Sequence, residues 1–278
     1  MNPECTLCFD GKNVHLWDSP LNLYQCSVCD HTFTIKLKEA LEVYEEKYYL
    51  EKHSNWFANP NYPFFKQLHG KITQYKKAPR LKLLDVGYGN GDFLKYLAKN
   101  DNSLELHGID SMKVEHEDVN FIQGDFFQDV IPHEFDAIVT LMVIEHVEHP
   151  KLFVQKLNEY LVPDGILIIS TNNNGGMLYS LARSFKKLGW RLVFDRLYSD
   201  HHLQHFTNRS LRLDLEKNGF EILELKNHNY PLKAVDTPAA PFLVKQLYLV
   251  AVYLIFRLSE LCGNAFLQTY VCRKKREV

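Results

Sequence analysis

The sequence predicts an α/β fold, a mostly parallel sheet with helices on both faces, preceded by a small cysteine-paired module. Three observations carry this expectation. Between Lys82 and Thr171, apolar runs of strand length alternate with amphipathic helical stretches, the pattern of strands joined by crossover helices. Leu83 to Leu94 reads Leu-Leu-Asp-Val-Gly-Tyr-Gly-Asn-Gly-Asp-Phe-Leu, a strand that passes through three alternate glycines into a helix. Four cysteines lie in the first thirty residues as two Cys-x-x-Cys pairs.

Taken in chain order, Cys5, Cys8, Cys26 and Cys29, with 17 residues between the pairs, have the spacing of a four-cysteine zinc ribbon over residues 1–35. Two disulfides are the alternative, disfavoured because Met-Asn-Pro-Glu-Cys has neither a basic start nor an apolar run to mark a secretory signal. His15 and His31 are substitute ligands, but four thiolates already close a tetrahedral shell. Cys262 and Cys272 are expected to be buried small hydrophobes. Residues 36–79 read as a helical linker or lid, with Tyr44, Tyr48 and Tyr49 and the cluster Trp56, Phe57, Tyr62, Phe64 and Phe65.

The catalytic-size unit then spans residues 80–278. Gly87, Gly89 and Gly91 let the backbone turn sharply and approach a ligand, and the next helix presents a positive N-terminus. A dinucleotide fingerprint needs its third glycine one position later, where Asp92 stands. Leu104 to Ile109 is a second strand ending in Asp110, about 20 residues beyond the glycines, where a carboxylate can accept both ribose hydroxyls of a nucleoside or serve as a helix N-cap. Phe121 to Phe127 is a third strand releasing Gly124 and Asp125. Phe135 to Leu141 reads as a buried central strand, and Gly165 to Thr171 as a fifth, introduced by a turn at Pro163-Asp-Gly165. Phe220 to Leu225 and Phe266 to Arg273 are the last two candidates.

From Arg80 to Arg273 the chain resembles the class I, Rossmann-like methyltransferases that use S-adenosylmethionine. Within them it is similar to the ubiquinone-biosynthesis O-methyltransferases and to methyltransferases of glycan and natural-product pathways. The resemblance rests on Asp85-Val-Gly-Tyr-Gly-Asn-Gly91, Gly108-Ile-Asp110, Gly124-Asp125, Ile144-Glu-His-Val147, and His202-Leu-Gln-His-Phe-Thr207 with Leu211 to Phe220. It implies a seven-stranded sheet with one of the last two strands antiparallel. It also implies that Asp85, Gly87, Tyr88, Gly89, Gly91, Asp110, Asp125, Phe126 and Leu141 hold the cofactor, Asp125 meeting the adenine amino group with Phe126 beside the ring. A helical segment before the domain covers the cofactor in such enzymes, which makes Tyr44, Tyr48 and Tyr49 candidate lid residues.

A bound sulfonium is already an activated methyl donor, so the protein must align the acceptor, exclude water and, for a hydroxyl, take up a proton. His146 is the first candidate base, with Glu145 beside it, and His205 is the second. The ubiquinone-pathway enzymes carry Glu-x-x-Glu-His with a divalent cation, whereas Met142 replaces the first glutamate here, which predicts a poor magnesium site and argues against a catechol acceptor.

Residues 176–200 and 236–262 read as helical insertions on the acceptor side. The first is basic and amphipathic, suited to sugar phosphates, to anionic lipid, or to an ordinary solvated face. The second has an uncharged run, Leu247 to Phe256, too short to span a bilayer. The expected protein is a cytoplasmic O-methyltransferase of a small or lipid-linked metabolite, with peripheral membrane contact as an open alternative. A C-methyltransferase of nucleotide-linked sugars is the nearest rival. The net charge of −2 counts against an RNA base methyltransferase and against a nucleic-acid partner. A scaffold that merely retains the fold is the non-enzymatic reading, disfavoured because the cofactor motif is intact.

Overall fold

A computed structural model describes residues 3–35, 54–76, 79–131, 134–198, 202–237 and 241–276. Tyr44, Tyr48 and Tyr49 lie outside the described residues.

The chain opens with β1 (Val14–Asp18), β2 (Leu23–Cys26) and β3 (Thr32–Thr34), followed by α1 (Ser54–Ala58) and α2 (Tyr62–Tyr75). The alternating region contains β4 (Leu81–Val86), α3 (Asp92–Asn100), β5 (Leu104–Asp110), β6 (Val119–Gln123), β7 (Phe135–Leu141), α4 (Pro150–Glu159) and β8 (Leu161–Asn172). Beyond it come α5 (Met177–Lys187), α6 (Leu192–Leu197), β9 (Gln204–His205), α7 (Asn208–Lys217), β10 (Phe220–His228), α8 (Phe242–Leu261) and β11 (Leu267–Lys274).

Seven strands form one sheet in the order β10-β11-β8-β7-β4-β5-β6. The pairs from β8 to β6 are parallel, and β11 runs antiparallel to both β8 and β10. Alternate residues of the central strands divide between two apolar cores: Leu84, Ile138, Leu167 and Ile169 belong to one, and Leu83, Ala137, Val139, Ile166 and Ile168 to the other. Burial of both faces is why these strands read as continuous apolar runs instead of alternating ones. β4 pairs with β5 on one side and β7 on the other, so the connections leaving β4 and β7 diverge and open a crevice at the strands' carboxyl ends.

Three sequence expectations change in detail. The third strand ends at Gln123, because Gly124 donates its amide to the Asp110 carbonyl at 2.8 Å and Asp125 accepts the Phe127 amide at 2.7 Å, so turn chemistry ends an otherwise apolar run. The fifth strand begins at Leu161, and Pro163-Asp-Gly165 becomes an irregularity within it, with Asp164 at φ 60°. Cys272 is buried as expected, but Cys262 follows the last turn of α8 and is exposed.

The cysteine module is not a detached bead. β1, β2 and β3 form a second sheet with β9, from the far side of the chain, through Thr32↔His205 and Phe33↔Gln204. Cys5, Leu7, Val14 and Phe33 share a core with Phe206, Leu211 and Leu215.

Candidate active site

The crevice at the carboxyl ends of β4 and β7 is a cavity of about 660 Å³. Its floor is the turn after β4. Gly87, Gly89 and Gly91 all have positive φ, at 78°, 54° and 72°. A Cβ at Gly87 would stand 2.3 Å from Val143 Cγ2, so both the backbone angle and the space require glycine. Gly91 is the N-cap of α3, whose Phe93, Leu94 and Leu97 bury against the sheet and fix the helix under the turn. Phe57 of α1 covers the turn from above, its Cε1 3.3 Å from where a Gly89 Cβ would stand.

Asp110 ends β5 beside this turn. Its Oδ2 accepts the Gly89 amide at 2.8 Å and its Oδ1 accepts the Met112 amide at 2.9 Å, which locks the carboxylate at the rim with lone pairs to spare. Tyr88 lines the same wall, its hydroxyl donating to the Met112 carbonyl, and burial raises that phenol to about 12. Asp85 lies at the bottom of the cavity, 3% exposed, and its Oδ1 has no hydrogen-bond partner among the described residues. Burial, reinforced by the charge on Asp110, pushes its carboxyl up to about 8.

Asp125 and Phe126 line the opposite edge. The carboxylate of Asp125 already accepts Phe127 N–H and Gln128 Nε2, so a ligand amino group would share it. Phe126 packs edge-on against Phe153 at 5.5 Å. Leu141, Met142, Val143 and His146 form the wall at the end of β7, and Met142 takes φ 60°, unusual for a non-glycine residue, with its N–H donating to Ser170 O at 2.9 Å.

The three catalytic candidates part company. His146 lines the cavity. Glu145 is fully buried behind it, accepting from Thr171 Oγ1 at 2.8 Å, and burial raises it to about 7. His205 lies on β9, 2% exposed and outside the cavity lining, with burial depressing it to about 3. His202, from the same motif, brings its ring to 4.9 Å from that of His146. Glu145, His146 and His202 each place a ligand atom within 4.8 Å of the others, a donor set that could hold a cation. Residues 142–146 alone supply two such donors; folding adds His202 as a third.

Several lining residues escape sequence reasoning. Asn59 and Asn61 precede α2, and His228 ends β10. The His228 ring bonds Thr269 Oγ1 at 2.8 Å and lies 4.6 Å from Phe64, and burial lowers it to about 4. No local motif marks it; only the antiparallel return of β10 carries it to the cleft.

The cysteine cluster fits a metal. Cys5 Sγ and Cys29 Sγ are 3.5 Å apart, Cys8 Sγ and Cys26 Sγ 3.6 Å, and all four lie within 4.8 Å of one another. Zinc–sulfur bonds of about 2.3 Å in a tetrahedron separate sulfurs by about 3.8 Å. The cluster connects to the cleft through Gln204, whose Oε1 accepts from Thr6 Oγ1 at 3.0 Å and meets His31 Nε2 at 2.9 Å, while its Nε2 donates to Val147 O at 3.0 Å, one residue beyond His146.

The fold and cleft are those of an open, mostly parallel α/β domain with a ligand-sized crevice at the carboxyl ends of its strands. The family model for the methyltransferase domain matches residues 62–225, and the chain belongs to that family. The chain is 29% identical over 177 residues to the ubiquinone biosynthesis O-methyltransferase of Rickettsia canadensis (strain McKiel), covering 58% of this chain and 72% of that one. It is 26% identical over 174 residues to the mitochondrial ubiquinone biosynthesis O-methyltransferase of Dictyostelium discoideum, covering 54% of this chain and 53% of that one, so it spans about half the length of that relative. Among solved structures, a SAM dependent methyltransferase from Archaeoglobus fulgidus superposes with TM-score 0.50 at 17% identity, over 82% of this chain and 99% of that one. The SpnF cyclase superposes equally, with TM-score 0.50 at 16% identity, over 76% and 81%. The fold is therefore shared across chemistries, and the site must carry the function.

Proposed function

We propose that this chain is an S-adenosylmethionine-dependent methyltransferase that methylates an oxygen of a small or lipid-linked biosynthetic metabolite. The observation that carries the reading is the buried, unpartnered carboxyl of Asp85 beneath a glycine turn that admits no side chain, with Asp110 and Asp125 along the same cavity. In this reading Asp110 accepts the two ribose hydroxyls, Asp125 and Phe126 hold the adenine, and Asp85 faces the cationic amino-acid end. When bound, the cofactor supplies an electrophilic methyl group on a sulfonium. His146 receives the proton that the acceptor hydroxyl loses as its oxygen forms the new bond to carbon. Phe57, Phe64 and Phe65 exclude water from that geometry. Cys5, Cys8, Cys26 and Cys29 hold a structural zinc.

The name carried by the curated relatives supports oxygen as the methylated atom. Incubation with S-adenosylmethionine and a panel of phenols, hydroxy acids and nucleotide-linked sugars, read by mass spectrometry and NMR of the product, tests it. An O-methyl ether is the expected product. A new carbon–methyl bond would move the assignment to the C-methyltransferase class.

A further inference from the structure

α8 presents two different faces. Tyr248, Leu249, Val252 and Phe256 pack into the core shared with α5 and α6, and Asn229 ties the helix down by donating to Phe256 O at 3.0 Å and Ser259 Oγ at 3.1 Å. The opposite face is exposed and apolar: Leu243 is 69% exposed, Leu247 63%, Val250 55%, Leu254 54%, Leu258 54% and Leu261 85%. At 3.6 residues per turn, the arc from Val250 round to Val244 covers about 120° of the helix and contains only aliphatic residues. Such a face is far larger than scattered surface apolar residues require.

We propose that this face, with the turn between α5 and α6, docks on an anionic lipid bilayer, α8 lying in the plane of the interface. Two features select a membrane over a second copy of the chain. The turn carries Leu188, Trp190 and Leu192 at 76%, 72% and 83% exposure, the aliphatic and indole composition that partitions into the headgroup boundary. The surrounding charge complements an anionic surface: Lys187 and Arg196 stand exposed within Met177 to Tyr198, where Lys186 and Arg191 pair with Asp18, and Lys233 stands exposed on the short turn that packs on α8.

The length of α8, 20 residues, would also suit a span, but its packed stripe and the Asn229 bonds hold it along the domain surface. The same short turn, Leu232–Ala234, contributes Ala234 to the cleft, so docking sets the cavity mouth beside the bilayer.

The experiment is co-sedimentation of the full chain with vesicles of phosphatidylcholine mixed with phosphatidylglycerol, beside vesicles of phosphatidylcholine alone, with tryptophan quenching by brominated lipid as a second readout. The expected result is binding to the anionic vesicles that weakens with salt, and lipid quenching that is lost in Trp190→Ala. Leu247→Glu with Leu254→Glu should reduce vesicle binding by at least about tenfold, with the circular dichroism spectrum and melting temperature unchanged because both sites are exposed. Absence of vesicle binding in the wild type, or unchanged binding in the double variant, would overturn the proposal. So would a wild-type dimer by light scattering that ignores vesicles and dissociates in the double variant, which would assign the face to a second copy.

Discussion

Asp85 and His146 carry the residue-scale predictions. Burial holds the Asp85 carboxyl up to about 8, whereas an aspartate in an unfolded chain ionises near about 3.9. Between those values the native state binds more protons than the unfolded state. The stability contributed by this group is therefore complete below about pH 4 and is lost as pH rises through about 8. In Asp85→Asn the fall in urea midpoint between about pH 5 and about pH 9 should be shallower than in the wild type; identical slopes would contradict the assignment. The same burial predicts that a ligand bearing a cationic amine binds more tightly as pH rises toward 8, because ionised Asp85 is then available to it. For His146, replacement by alanine should lower turnover by roughly a hundredfold to ten-thousandfold with little change in cofactor affinity, as expected for loss of a base. His205→Ala serves as the comparison, and equal losses of turnover in the two variants would remove His146 from that role.

At the scale of elements, the strand-to-glycine-to-helix unit was legible because its physics is local. Positive φ at Gly87, Gly89 and Gly91 and the apolar face of α3 all lie within a dozen residues. The same holds for β5 ending in Asp110 and for β7. The third strand was read too long because Gly124 and Asp125 divert the backbone while Phe126 and Phe127 continue the apolar run. The return of His202, Gln204 and His228 was not legible, since their partners are from 41 to 198 residues away: Glu145 and His146 for His202, Thr6, His31 and Val147 for Gln204, and Thr269 for His228.

Gln204 links the cysteine module to the cleft, because it bonds both the module and the carbonyl after His146. Zinc removal by chelation should lower the melting temperature by roughly 5 to 10 °C, as loss of a few kcal/mol does in a domain of this size. Gln204→Leu should keep one zinc per chain by elemental analysis and still lower turnover. Full turnover in that variant would confine the module to a stabilising role. The ion pairs of Asp18 with Arg191, at 2.9 Å, and with Lys186 tie the module to the α5–α6 turn as well.

For the molecule as a whole, the sheet order and one antiparallel strand place the cleft, and the family match covers the strands that build it. A superposable cyclase means that architecture alone does not decide between transferase and other chemistry. Cofactor binding through Asp110 is therefore the claim on which the rest depends. The direct measurement is calorimetric titration of the full chain with S-adenosylmethionine and S-adenosylhomocysteine, repeated with Asp110→Ala. The account predicts micromolar binding of both at one site per chain. It also predicts a loss of at least about tenfold in the variant, since each charge-assisted hydrogen bond to ribose contributes roughly 1.5 to 3 kcal/mol. No binding heat in the wild type, or equal affinity in Asp110→Ala, would contradict it.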